Sequence, residues 1–229
     1  VPLAVVVDTV DEARQAFADG ARCLKVKVGA GGDLDRVRDI ARALPGATLR
    51  IDANRSWPRN AVRERLAALA DLPIEYVEEP CVDAHELLVD ALPYPIALDE
   101  SLVSISDAAL DAALHSPSLA ALVLKPTLLG LVRCRELAAR ARRAGVAAIV
   151  THALEGPVGT ANCAELALAL GGDRAVGLAP HPGLGDAISF GDASAAVGEQ
   201  ARLLDRGRML VLQLSGRGLA IDRGLIACR

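Results

Sequence analysis

Short apolar runs alternate along this chain with longer stretches in which apolar residues recur every three or four positions. The runs at 2–7, 23–28, 48–53, 74–79, 96–100, 122–125, 147–151 and 175–179 have the length and the branched, apolar make-up of strands. The stretches at 9–19, 33–44, 58–71, 83–92, 106–115, 131–144 and 159–170 have helical spacing. Thr9 with Glu12 forms a capping box, Pro58 suits a first helical turn, and Gly145 closes the helix before it. Gly29-Ala30-Gly31-Gly32 lacks both the G-x-G-x-x-G spacing and the lysine of a phosphate cradle, and reads as a turn.

Eight strands alternating with helices at a period of roughly 25 residues predict an α/β fold, a TIM-like (β/α) barrel of parallel strands, over residues 1–182. The remainder, 183–229, is less regular and reads as an extension packed on the barrel, with a β-hairpin over 208–222.

Composition agrees with one large domain. Of the 229 residues 52% are hydrophobic and only 2% aromatic, so the core must be filled by Ala, Val and Leu, as in a sheet covered on both faces. A formal charge of −4, with no Lys/Arg cluster interleaved with aromatics, argues against nucleic acid. No stretch reaches the ~18 uninterrupted apolar residues of a membrane span, and the first residues lack a basic leader, so a cytoplasmic protein is expected. Five scattered cysteines without a CxxC pair read as buried thiols.

Each of five strands ends on a charge, and strand parity decides where those charges point. Lys27, Asp52, Glu78, Asp99 and Lys125, if turned inward, converge on the C-terminal mouth of the barrel, where such folds place their chemistry. Three carboxylates at that depth need positive charge among them, and oxygen-only ligands favour Mg²⁺, with Mn²⁺ second. A partly buried lysine beside that cation is expected to have a lowered pKa, which makes it a usable base. Glu79 and Glu100, of opposite parity, are expected to support these residues or to face solvent, and Trp57 to pack.

These residues resemble the enolase superfamily and, within it, the o-succinylbenzoate synthases. The resemblance is carried by Lys25-Val26-Lys27, Asp52-Ala53-Asn54-Arg55-Ser56-Trp57, Glu78-Glu79-Pro80-Cys81, Asp99-Glu100-Ser101-Leu102 and Lys125-Pro126-Thr127-Leu128. It implies the superfamily's C-terminal barrel domain, with Asp52, Glu78 and Asp99 holding Mg²⁺. Lys27 would take the proton α to a substrate carboxylate, and Lys125 would stand as a cation on the opposite face. Lys25, Arg50, Asn54, Thr151 and Gly177 are further candidates to contact the substrate or to support the groups that do. His152 departs from the synthase pattern, and the N-terminal α+β capping domain of such enzymes is expected to be absent from this chain. The implied reaction dehydrates 2-succinyl-6-hydroxy-2,4-cyclohexadiene-1-carboxylate to 2-succinylbenzoate, a step of menaquinone biosynthesis. N-succinylamino acid racemase, dipeptide epimerase and cycloisomerase share the same residues and stay open. So do a Schiff-base aldolase and a barrel without catalysis.

Overall fold

A computed structural model describes residues 1–29, 33–155 and 157–179, and the backbone of 204–205 and 208–209. Seven strands run parallel in chain order: β1 (Ala4–Val6), β2 (Cys23–Lys27), β3 (Thr48–Asp52), β4 (Ile74–Glu78), β5 (Ile96–Leu98), β6 (Leu119–Leu124) and β7 (Ala147–Val150). The sheet curls until the segment 175–178 touches both edges. Val176 bridges Leu3 beside β1, and Gly177 bridges Thr151 at the end of β7, both in parallel sense. The expected eighth strand is thus reduced to two bridges that close the ring.

Helices α1 (Val10–Ala18), α2 (Asp33–Ala43), α3 (Val62–Ala67), α4 (Asp107–Leu114), α5 (Pro126–Leu129), α6 (Leu131–Ala144) and α7 (Pro157–Leu170) connect the strands. Thr9 caps α1 by accepting from the Glu12 amide at 3.1 Å, while the Glu12 carboxylate accepts from the Asp8 amide. Gly145 ends α6 in the left-handed region, and Arg140 ties that helix to Asp107 and Asp111 of α4. Two expected helices are shorter than their pattern. Residues 58–71 form a 3₁₀ turn, Arg59–Ala61, followed by α3, and 83–92 form a 3₁₀ run, Ala84–Val89.

Alternation along the strands makes two cores. The larger lies between strands and helices and includes Leu24, Val26, Ile51, Val77, Leu98, Leu122 and Trp57. The smaller fills the ring with Tyr76, Ala97, Ala121, Val123 and Ile149, small side chains around one aromatic. Cys23, Cys81, Cys134 and Cys163 are free and buried. Beyond the barrel, β8 (Leu204–Asp205) and β9 (Arg208–Met209) pair antiparallel. Of the hairpin expected over 208–222 only 208–209 are described, and they pair with 204–205; residues 210–222, residues 30–32 of the glycine turn and Cys228 lie outside the described residues.

Candidate active site

The register of the parallel strands puts Lys27, Asp52 and Glu78 level with one another across β2, β3 and β4. Glu78 also pairs with Ala97 of β5, so Asp99 stands one pleat higher on the same face. All three carboxylates are at least 97% buried. Lys25, one pleat lower, sends its ammonium group up between two of them. Its Nζ lies 2.8 Å from Asp52 Oδ2 and donates to both oxygens of Glu78, at 2.8 and 2.9 Å. The backbone then turns sharply at Asn54 and Arg55, with φ of +42° and +61°, and the Asn54 amide donates to Asp52 Oδ1 at 3.0 Å.

On the other side, Lys125 leaves β6 just before Pro126 and pairs with Asp99 Oδ2 and with Glu100 Oε1, the latter at 3.1 Å. Asp99 Oδ2 is buried and accepts no hydrogen bond; the Lys125 ammonium lies against it, but off the direction a hydrogen bond needs. Lys27 is exposed on the same face as Lys25.

Electrostatics follow from this packing. Burial alone would depress Lys25, but the Glu78 and Asp52 carboxylates outweigh it and hold the ammonium well above its ordinary pKa. Lys125 is raised too, burial again being outweighed, here by Asp99 and then Glu100. In this arrangement each of the two ammonium groups is itself the counter-ion of the acids, whereas the lowered lysine pKa expected from the sequence belongs to a lysine beside a bound cation. Asp99 moves up, pushed first by burial and then by the Glu78 charge, with Lys125 only partly offsetting them.

Other expected contacts fall out differently. Arg50 does not join the mouth. Its Nε donates to Glu75 at 2.7 Å and its Nη1 to the Ala175 carbonyl at 2.6 Å, at the opposite end of the ring. The register slips by one residue between β3 and β4 beside Leu49 and Arg50, and the unpaired Glu75 turns its carboxylate to that guanidinium. Thr151 donates its hydroxyl to the Gly177 carbonyl at 2.9 Å, so both serve ring closure. Asn54 contributes its backbone, its side chain being exposed. His152 Nδ1 accepts from the Leu154 amide at 3.2 Å, which assigns the ring proton to Nε2 and makes that atom the donor to the Ala179 carbonyl at 3.0 Å.

The two glutamates of opposite parity take the supporting role, one of the two expected for them. Glu79, fully buried at a φ of +40°, accepts from the Asp99 and Ser101 amides, the Ser101 hydroxyl and Arg55. Glu100 partners Lys125. A cavity of about 1050 Å³ opens at the Arg50 end and touches none of Asp52, Glu78 and Asp99. The three buried acids instead mark the C-terminal mouth, where barrels of this kind hold their reacting groups.

Residues 8–225 match the family described as enolase C-terminal domain-like. The chain belongs to that family. Among curated relatives, the o-succinylbenzoate synthases of Yersinia pestis (strain Pestoides F) and Yersinia pseudotuberculosis (serotype O:3, strain YPIII) are each 37% identical over 169 residues, 65% of this chain and 47% of theirs. A dipeptide epimerase from Methylococcus capsulatus, solved with Mg and the dipeptide L-Arg-D-Lys, is 28% identical with a TM-score of 0.65, over 78% of this chain and 54% of that one. MenC from Desulfotalea psychrophila LSv54, 23% identical with a TM-score of 0.67 over 79% and 55%, shares the fold. The chain spans about half the length of the curated relatives it matches.

Within this enolase-type barrel, no three ligating side chains among the described residues are gathered into a metal shell, and ammonium groups stand against the acids. The donor chemistry nevertheless fits a hard divalent cation. It comprises oxygens only, from three adjacent strand ends, including a buried Asp99 oxygen that accepts no hydrogen bond.

Proposed function

We propose that this chain is the catalytic barrel of a Mg²⁺-dependent o-succinylbenzoate synthase, a carbon–oxygen lyase acting on a small carboxylate in the cytoplasm. The domain reading that goes with it is a barrel over 1–182 carrying an extension over 183–229. The observation that carries the proposal is the set of strand-end acids and lysines in a chain 37% identical to o-succinylbenzoate synthases. Asp52, Glu78 and Asp99 would hold the cation, with Mn²⁺ as an alternative, once Lys25 and Lys125 release their oxygens. The cation would supply stabilisation for negative charge developing on the substrate carboxylate.

Lys27 takes the proton from the carbon α to that carboxylate, the carbon–oxygen bond to the hydroxyl group breaks, and Lys27 returns the proton so that water leaves. Its position level with Asp52 and Glu78, with no need to break a buried ion pair, suits this transfer. Lys125 would stand as a cation beside the developing anion, a role its place across the mouth next to Asp99 and Glu100 suits.

The test is dehydration of 2-succinyl-6-hydroxy-2,4-cyclohexadiene-1-carboxylate by the full-length protein with Mg²⁺. Lys27→Ala and Lys125→Ala are expected to lower kcat at least 100-fold, in line with the loss of a positioned acid/base or charge-stabilising group. Wild-type turnover by both variants would refute both lysine roles. A second reading is favoured by the likeness to the Methylococcus capsulatus dipeptide epimerase. Exchange of an α-proton in a dipeptide with no dehydration of the cyclohexadiene would select it.

A further inference from the structure

Glu78 has its side chain in the ring, whereas its neighbour Glu79 turns out of strand geometry altogether. At φ +40° it occupies the left-handed region, which a glutamate adopts only when its surroundings over-determine it. Those surroundings are the loops that follow all three acid-bearing strands. The Glu79 carbonyl accepts from the Arg55 amide at 2.7 Å, just past Asp52, and its own amide donates to the Ala97 carbonyl at 3.0 Å, just before Asp99. Ser56 and Cys81 pair antiparallel beyond it, and the Trp57 amide donates to the Pro80 carbonyl, so the loops after β3 and β4 are zipped together.

The carboxylate completes the junction. Oε1 accepts from the Asp99 amide at 2.8 Å and the Ser101 amide at 2.7 Å, and Oε2 accepts from the Ser101 hydroxyl at 3.0 Å and Arg55 Nε at 3.3 Å. Asp99 itself is neither extended nor helical, at φ −123° and ψ −90°, and a 3₁₀ turn, Glu100–Val103, starts immediately after it. The bond to the Asp99 amide therefore helps to fix the direction in which its side chain leaves the backbone. One buried side chain ties together the ends of β3, β4 and β5.

We propose that Glu79 is a positioning residue for the cation site. It does not touch the cation; it holds Asp99 in alignment with Asp52 and Glu78, so that three acids from separate strands act as one ligand set. The inference rests on the cation-dependent reading above. A group filling space alone would be replaceable by an apolar side chain of similar size, whereas a clamp needs an acceptor.

Two variants separate these possibilities. Glu79→Gln keeps an oxygen for the Asp99 and Ser101 amides, while Glu79→Leu keeps the bulk and removes every acceptor. Mn²⁺ binding to the full-length protein, followed by electron paramagnetic resonance, is expected to stay within about threefold of wild type for Glu79→Gln. It is expected to weaken by about 10- to 100-fold for Glu79→Leu, the usual consequence of losing a partner that orients a ligand. In the cation-free protein, hydrogen exchange at the Asp99 and Ser101 amides should stay slow in Glu79→Gln and speed up in Glu79→Leu. Ser101→Ala, which removes one of the four bonds, carries the test if Glu79→Leu does not fold. A two- to fivefold loss of Mn²⁺ affinity there supports the clamp, and unchanged affinity overturns it. Wild-type affinity in a folded Glu79→Leu also overturns the clamp and leaves the proposed function standing. Absence of Mn²⁺ binding by the wild-type protein overturns the cation-dependent reading itself, and the clamp with it.

Discussion

Lys25 grips Asp52 and Glu78 at once with a side chain only 15% exposed, so its removal strands two buried charges. Lys25→Met, similar in length and apolar, is expected to cost about 3–5 kcal/mol in the presence of a chelator, the usual effect of deleting one partner of a buried ion pair. Urea unfolding followed by circular dichroism measures this, and a variant as stable as wild type would show that the grip contributes nothing. Millimolar Mg²⁺ should then raise the stability of the variant more than that of wild type. In the variant the cation meets acids already free of an ammonium group, and binding to the folded state alone adds stability by mass action. The residue types themselves hint at this arrangement. Only three of the 25 basic residues are lysines, and Lys25, Lys27 and Lys125 all belong to the acid-bearing end, while the basic residues elsewhere are arginines. A compact ammonium can yield an oxygen that a bidentate guanidinium would hold.

Strand order was legible in the sequence because buried parallel strands are nearly continuous apolar runs, and seven such runs pair in chain order. Lengths were less legible. The expected helix over 83–92 becomes a 3₁₀ run because its start, Asp83, lies at φ +52° and offers no side-chain cap, and Pro93 follows closely. The expected strand over 175–179 makes only two bridges, and side chains also bond to it: Arg50 donates to the Ala175 carbonyl, and the Thr151 hydroxyl shares the Gly177 carbonyl with the His152 amide. Neither side-chain bond has a periodic signature. Gly177 is a candidate substrate contact, and the seam also requires a glycine there on steric grounds. A Cβ there would fall 2.3 Å from Thr151 Oγ1 and 2.8 Å from Thr151 Cβ, both too close. Gly177→Ala should therefore open the seam and destabilise the fold by about 1–3 kcal/mol, the range for overpacking a tight contact. Equal urea midpoints for variant and wild type would show that the seam yields without cost.

The molecule divides its work between the two ends of one ring. Acids and lysines occupy the C-terminal mouth, whereas the N-terminal end is held by Arg50, stacked 5.0 Å from the Tyr76 ring and bound to Glu75, which Arg174 also meets. This separation was hidden in the sequence, where Arg50 and Asp52 share parity and look like neighbours in function; the bonds of the guanidinium to Glu75 and to the Ala175 carbonyl, beside a register slip, place it at the other end. Arg50→Met is accordingly expected to lose about 3–5 kcal/mol of stability, as for any broken buried pair, while the folded fraction keeps its Mn²⁺ affinity within about twofold. The same pair predicts an acid limb. Burial would raise the Glu75 pKa, but Arg50 and then Arg174 outweigh it and hold the carboxyl below its ordinary 4.5. Its contribution is therefore present above pH 4.5 and disappears as pH falls through the lower folded-state value, because the unfolded chain takes up the proton first. Wild type minus Glu75→Gln, followed by urea unfolding from about pH 7 to about pH 3, should give a stability difference that is constant above about pH 5 and shrinks below it. A difference that stays constant over that whole range would mean that Glu75 titrates alike in folded and unfolded chains, and that its ion pairs add no pH-dependent stability.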